Sequence, residues 1–266
     1  MHNAALRACG LDMEYVRIHL RPSELEEGFH LLSRNGFAGV NLTIPHKTAI
    51  IPLIDSIDPN AERLGAVNTV SFNNGKSRGY NTDGPGLVRA VMASFGASLG
   101  DLRVMIIGAG GGAGRAAAIQ CAIEGCTDIT LVNRTQSKAE TLAQSLREII
   151  ATKSAQSIRV ISNSTESLSG ALTQSDIVLQ CSSLGMKEGD PSPLPKQALE
   201  PRHFVYDTIY SRRTQLIEDA NEKGARYADG LSMLLHQGAL AFEIWLQRAA
   251  PIDVMHAALK TATGLK

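Results

Sequence analysis

The sequence predicts an α/β fold built on a parallel, doubly wound sheet, and three observations predict it. Strand-like apolar runs alternate with helical stretches through the middle of the chain. One of them, Val104-Met105-Ile106-Ile107, runs straight into a glycine turn, Gly108-Ala109-Gly110-Gly111-Gly112-Ala113-Gly114, which opens onto a run of alanines. A second apolar run, Asp128-Ile129-Thr130-Leu131-Val132, completes a strand–helix–strand unit. Alternation of this kind places strands side by side in parallel, because the intervening helix supplies the crossover.

The glycine turn carries the first chemical signal. Gly108, Gly110 and Gly111 or Gly112 are spaced much like a G-x-G-x-x-G motif, with Ala109 between the first two. Gly108 can take the sharp turn at the strand end. Gly110 and Gly111 lack a Cβ, so a pyrophosphate can approach the backbone, and the free N–H groups of the next helix face its charge. A glycine turn alone can also serve plain helix–strand packing. The strand before, the helix after and the second strand supply the context that favours dinucleotide binding.

Composition bounds the rest. The 266 residues, 44% of them hydrophobic, can bury a sizeable core in one large or two modest domains. Twenty-six basic and 26 acidic residues leave no net charge, which argues against a nucleic-acid or membrane-surface partner. No apolar run reaches the roughly 18 residues of a spanning helix, and the start, Met1-His2-Asn3-Ala4-Ala5-Leu6-Arg7, has no signal-peptide core. The cysteines (Cys9, Cys121, Cys126, Cys181) show no C-x-x-C spacing and read as reduced, in a cytoplasmic setting. The histidines never pair at ligand spacing, so no metal is expected.

In chain order, residues 2–9 read as a helix that stops at Gly10. Tyr15-Val16-Arg17-Ile18-His19-Leu20 alternates and predicts a strand. Pro22-Ser23-Glu24 begins a helix to about Arg34, ended by Asn35-Gly36. Phe37 to Ile44 reads as a strand that meets Pro45, which suits the first turn of a helix and sets His46 and Lys47 near the strand's carboxyl end. A short helix near residues 60–64 precedes a strand from Ala66 to Phe72. Asn73-Asn74-Gly75 is a hairpin turn, and the return strand delivers Asn81-Thr82-Asp83-Gly84. A helix spans about 86–95. Beyond Val132 come a helix to about Ile150, strands at 158–161, 176–181 and 203–208, a glycine- and proline-rich loop at 185–195, and a helix at about 213–224. The chain is helical from Gly230, and Pro251 divides this stretch from a last helix.

Two further sets of residues could carry chemistry. After the second strand of the dinucleotide unit, an NAD site usually places a carboxylate for the ribose diol. Here Asn133-Arg134-Thr135-Gln136-Ser137-Lys138 has none, and Arg134 and Lys138 offer positive charge where a 2′-phosphate would sit. The expectation is NADP. Lys47 lies after a strand end among Asn41, Thr43, Asn68, Thr69, Asn81, Thr82 and Asp83, and a lysine so placed can carry a proton to and from an alcohol oxygen. An isolated lysine would more often be a surface charge, and His46 is a rival base.

Taken together, Asn41-Leu42-Thr43-Ile44-Pro45-His46-Lys47, Gly65-Ala66-Val67-Asn68-Thr69, Gly79-Tyr80-Asn81-Thr82-Asp83-Gly84 and Ala228-Asp229-Gly230-Leu231-Ser232-Met233-Leu234-Leu235-His236-Gln237 resemble the shikimate dehydrogenase family. The glycine turn and Asn133-Arg134-Thr135 fit its NADP-binding pattern. The resemblance covers nearly the whole chain. It implies two domains: an α/β substrate domain of residues 1–83 completed by helices in 231–266, and a Rossmann-type NADP-binding domain of residues 84–230. The implied activity is reversible, metal-free reduction of 3-dehydroshikimate with NADPH, in a monomer or homodimer. Alternatives are a quinate/shikimate dehydrogenase using NAD or NADP, and a non-catalytic dinucleotide- or metabolite-sensing homologue. The resemblance makes Lys47 the proton-transfer group and Asp83 its partner on the substrate hydroxyls. It makes Thr43, Asn68, Tyr210 and Gln237 substrate contacts, and sets Thr208 and Gly230 beside the nicotinamide. Family members usually begin with a strand carrying Ser-x-Ser, which holds the substrate carboxylate. The sequence Met1-His2-Asn3 stands where the following helix would start, so the resemblance leads to an expectation of ordinary NADP binding with poor shikimate turnover.

Overall fold

The computed structural model describes residues 1–150 and 157–264. The chain divides into two compact units, Met1–Gly86 with Leu234–Lys266, and Leu87–Met233. Both boundaries fall inside helices, Asp83–Phe95 and Leu231–Leu246.

The first unit is built on a four-stranded sheet of β1 (Gly39–Asn41), β2 (Ser56–Ile57), β3 (Thr69–Asn73) and β4 (Lys76–Tyr80), in the order β1-β3-β4-β2. β3 pairs antiparallel with β1 and β4, and β2 joins β4 in parallel. The β3–β4 hairpin turns on Asn74 (φ 50°) and Gly75 (φ 73°), two positive-φ residues whose twist suits a two-residue connection. Leu25 and Phe29 on the helix Leu25–Arg34 pack with Ile50, Ala61, Val67 and Val70 into the core. The helix His2–Ala8 packs against the last helix, Ile252–Thr263.

Three strand expectations in this unit change. The strand expected at 66–72 runs Thr69–Asn73. The segment 37–44 is a strand only at Gly39–Asn41. Tyr15–Leu20 forms neither helix nor strand and joins no ladder among the described residues. The side chain of Asn3 takes both backbone groups of Tyr15: its Oδ1 accepts from Tyr15 N–H at 2.7 Å and its Nδ2 donates to Tyr15 C=O at 2.9 Å. Two cavities of about 300 and 140 Å³, both lined by Glu14, Tyr15, Phe37 and Gly39, lie between this segment and β1. With no strand neighbour among the described residues, alternation has nothing to pair with, and Tyr15, Val16 and Ile18 stay exposed.

The second unit holds six parallel strands: β5 (Val104–Ile107), β6 (Asp128–Val132), β7 (Ser157–Ile161), β8 (Ile177–Gln180), β9 (Phe204–Asp207) and β10 (Arg226–Ala228). Their order is β10-β9-β8-β5-β6-β7, and every neighbouring pair is parallel. This is the doubly wound order, whose direction reverses between β5 and β8. β5 and β8 are buried at all four positions, and both are apolar but for Gln180 at the end of β8. Met105, Ile107, Val132, Val178 and Val205 pack with Leu168, Leu172 and Leu216 from the helices Thr165–Leu172 and Gln215–Glu222. No helix among the described residues is long and apolar enough to cross a membrane.

Gly39 marks the tightest approach in the first unit. Trp245 Nε1 donates to Val70 C=O at 2.9 Å, passing so close that a Cβ on Gly39 would sit 2.2 Å from both groups. Gly39→Ala must displace the indole or β3, and such overpacking costs about 1–3 kcal/mol. Thermal unfolding of Gly39→Ala should show that loss, whereas Gly75→Asn, in a turn where no neighbour lies within 4 Å, should cost far less.

Candidate active site

In the first unit, Lys47 projects from the helix His46–Ala49, directly after the cis Ile44–Pro45 peptide. Its backbone C=O accepts from Val67 N–H at 2.8 Å, which ties this helix to the approach of β3. The hairpin then returns the chain so that Asp83 opens the helix Asp83–Phe95. Lys47 Nζ donates to Asp83 Oδ2 at 2.8 Å, with the two side chains 31% and 21% exposed. The pair is sheltered yet open to a ligand.

A buried polar network holds that pair in place. Asn68 Oδ1 accepts from Thr82 N–H at 2.8 Å, and Asn68 Nδ2 donates to Thr82 Oγ1 at 3.0 Å. Asn41 Nδ2 donates to Thr69 Oγ1 and to Asn68 C=O. Asn81 Oδ1 accepts from Asp83 N–H at 3.0 Å, taking the capping role that Asp83 could otherwise fill and leaving its carboxylate to Lys47. Asn68, Asn81 and Thr82 are buried, so each lost bond would strand a polar group. His46 Nε2 donates to Leu20 C=O at 2.9 Å, which gives the ring an anchoring bond. Thr43 is exposed on the loop before the cis peptide, and its C=O accepts from His46 N–H. Gln237 lies where the helix Leu231–Leu246 meets Gly86, whose missing Cβ would fall 2.9 Å from Gln237 N.

In the second unit, the carboxyl ends of the parallel strands border a cavity of about 870 Å³. Gly108, Gly110, Gly111, Asn133, Arg134, Thr135 and Lys138 all line it. Gly108 has φ 80°, and a Cβ there would meet Ser182 N at 2.6 Å, across the point where strand order reverses. Asn133 Oδ1 accepts from Gly110 N–H at 3.1 Å, and its Nδ2 donates to Thr135 C=O at 2.9 Å, so Asn133 braces the turn against the next loop. Gly111 caps the helix Gly112–Glu124 without a side-chain bond to its first N–H groups. Among the described residues, Arg134 and Lys138 make no salt bridge, so their charge is free for a phosphate. Ala109 is fully buried behind the turn, and Gly112 begins the helix.

Thr208 and Gly230 lie outside that lining but touch each other: a Cβ on Gly230 would sit 2.1 Å from Thr208 O. Tyr210, two residues beyond Thr208, is 43% exposed. The cavity also takes Asn163, Thr165, Ser182, Ser183 and Lys187. These residues belong to no motif in the sequence, yet each follows a parallel strand, the position from which doubly wound sheets line their crevice. Cys181 also borders it, but burial pushes its thiol up to about 12, so it stays protonated.

A crevice at the switch point, a glycine turn under a helix N-terminus and a basic pair beyond the second strand define a dinucleotide-binding protein, and the lysine–carboxylate pair has the groups that acid–base chemistry needs. Family comparison makes this particular. Residues 1–70 match the shikimate dehydrogenase substrate-binding domain, 90–188 shikimate/quinate 5-dehydrogenase, and 230–260 the shikimate 5′-dehydrogenase C-terminal domain. An NADP(+) shikimate dehydrogenase of Desulforamulus reducens is 41% identical over 96% of this chain and 87% of its own length. Shikimate 5-dehydrogenase of Listeria monocytogenes, solved with shikimate and NAD, superposes with TM-score 0.88 at 33% identity, covering 97% of this chain and 90% of that one. The Thermus thermophilus enzyme, solved with NADP(H) and shikimate, gives TM-score 0.81 at 31% identity, covering 98% and 92%. The chain belongs to the shikimate dehydrogenase family.

The cradle at Gly110 is testable on its own. A Cβ there would lie 2.6 Å from Lys138 Cβ and 2.8 Å from Asn133 Nδ2. Gly110→Ala should weaken NADP binding about tenfold or more, a loss of about 1.4 kcal/mol or more, as read by titration calorimetry.

Proposed function

We propose that the protein is an NADP-dependent shikimate dehydrogenase that interconverts shikimate and 3-dehydroshikimate. The observation that carries the reading is the Lys47–Asp83 pair at 2.8 Å in a chain whose other unit has a 2′-phosphate-ready crevice. Arg134 and Lys138 hold the 2′-phosphate, and Gly110, Gly111 and the helix N-terminus take the pyrophosphate. When bound, the nicotinamide exchanges a hydride with the substrate carbon. Lys47 Nζ receives the hydroxyl proton as that hydride leaves, and returns it to the carbonyl oxygen in the reverse direction. Asp83 Oδ2 fixes Nζ and accepts a hydrogen bond from a neighbouring substrate hydroxyl. The partial exposure of Lys47 lets its proton exchange with solvent between turnovers.

Thr43, Asn68 and Gln237 serve as further substrate contacts in this reading, and so does Tyr210. Asn68 has a second duty, because its amide is already engaged with Thr82. Thr208 and Gly230 border the nicotinamide. The substrate domain comprises residues 1–83 completed by helices in 231–266, and the NADP-binding domain residues 84–230. The protein works in the cytoplasm as a monomer or homodimer, a setting that fits its four free cysteines.

The test is shikimate-dependent reduction of NADP followed at 340 nm, with quinate as the competing substrate. Lys47→Ala should lower kcat about 100-fold or more while leaving NADP binding intact, the size expected for a lost general acid–base. Turnover near wild type in that variant would overturn the mechanism.

Cofactor choice is a second outcome. Arg134→Ala removes a charge-assisted bond of about 1.5–3 kcal/mol, equivalent to roughly ten- to a hundredfold in affinity. Kd for NADP should rise by that factor and Kd for NAD should stay unchanged. Equal use of NAD and NADP by the wild type would refute the assignment of this loop.

A further inference from the structure

Asp207 ends β9 with no solvent exposure, and no arginine, lysine or histidine pairs with it among the described residues. A buried carboxylate without a cation is costly, so its place in the chain calls for a reason. Burial raises its pKa above the usual carboxylate range, and two hydrogen bonds oppose that rise. Asp207 Oδ2 accepts from Thr214 Oγ1 at 2.7 Å, and Oδ1 accepts from Ile209 N–H at 3.0 Å. The first bond closes the loop 208–213 across its base. The second fixes the loop's exit from the strand.

Three neighbouring segments rest on this closure. Thr208 is held by two bonds to Gln180 C=O, from its N–H at 3.0 Å and its Oγ1 at 2.9 Å. Gly230 N–H donates to Ile209 C=O at 3.2 Å, and Gly230 has no room for a Cβ above Thr208. Gly185, with φ 108°, has Thr214 Cγ2 and Ile209 Cδ1 at 3.2 and 3.3 Å from where a Cβ would be. The loops after β8, β9 and β10 thus meet on Ile209 and Thr214, the two partners of Asp207.

We infer that Asp207 is a positioning residue for the reaction, acting through Thr214 to set the loop that presents Thr208, Gly230 and Tyr210 to the nicotinamide end of the cofactor and to the substrate. The inference rests on the function proposed above for the roles of those three residues. Asp207 itself touches neither ligand. A carboxylate suits the post because it accepts from both partners at once, whereas an amide in its place accepts with one atom and donates with the other.

The variants are Asp207→Asn, Thr214→Val and Thr214→Ser, each checked for folding by thermal denaturation. Thr214 also caps the helix Gln215–Glu222 through Ile217 N–H, so Thr214→Val loses a cap as well as the latch. Asp207→Asn keeps that cap. Thr214→Ser keeps both. Removing a hydrogen bond to a charged group is worth roughly tenfold or more. We expect Asp207→Asn and Thr214→Val to lower kcat for shikimate about tenfold and to raise Kd for NADP several-fold. Thr214→Ser should stay within twofold of wild type. Kd for 2′,5′-ADP, which lacks the nicotinamide half, should not move in any of them. Folded Asp207→Asn with wild-type kcat and NADP affinity would overturn the inference. So would a parallel loss of NADP and 2′,5′-ADP affinity, which marks general support of the unit. Should the wild type oxidise no shikimate, the proposed function fails while the contrast between NADP and 2′,5′-ADP binding still decides the role of Asp207.

Discussion

Six parallel strands end on one edge of the second unit, and that edge is where the backbone runs out of ladder partners. Everything chemical in the unit follows from how those ends are finished. After β5 the chain must turn within a residue or two beside the loop that leaves β8, and only a residue without a side chain fits at position 108 against Ser182. Gly114 is constrained in the same way, its missing Cβ lying 2.3 Å from Gly108 O. The helix Gly112–Glu124 can therefore press its N-terminus close to the strand end, where its unpaired N–H groups face the crevice. Loops from the neighbouring strands supply the rest: a basic pair beyond β6, serines beyond β8 and the closed loop beyond β9.

The first unit solves a different problem. It has to hold a lysine and a carboxylate 36 positions apart at hydrogen-bond distance while leaving both reachable. The solution is a hairpin, which returns Asn81-Thr82-Asp83 beside Asn68-Thr69, and a set of side-chain amides that fasten the two turns together. Asn41, Asn68 and Asn81 each bind backbone or hydroxyl groups of a neighbouring segment. Asparagine serves here because one side chain both donates and accepts in a place too buried for water to do so.

How much of this could be read in the residues varied with burial. β5, β6, β8 and β9 were legible because strands covered on both faces are mostly apolar, with only Asp128, Thr130, Gln180 and Asp207 departing from that pattern. β10 was missed, since Arg226 and Tyr227 are exposed at the sheet edge and carry no apolar signal. β2 was missed for its two-residue length, and the helix Thr165–Leu172 because serine and threonine dilute its periodicity. Tyr15–Leu20 shows the opposite failure: it has the alternation of a strand, but pairing is a property of neighbours. The glycine turn and the Arg134–Lys138 pair were legible because they act locally. That Lys47 meets Asp83 was suggested only by resemblance to a family, since no spacing rule joins residues across a hairpin and a helix. The closure of Asp207 on Thr214 spans only seven residues, but it depends on the path of an irregular loop that no periodicity marks.

The first unit is assembled from both ends of the chain, and this bears on the order in which the molecule can form during synthesis. The helix His2–Ala8 finds its partner in Ile252–Thr263, and Gly39 finds Trp245, only after the second unit's residues have all emerged. The continuous stretch Leu87–Met233 can bury its sheet while the carboxyl-terminal helices are still being made. Until then Val70 waits for the indole that donates to its carbonyl, and the face of the small sheet that will meet Trp245 stays uncovered. Ribosome-bound chains halted before residue 234 would thus carry a finished six-stranded sheet while the first unit is still incomplete.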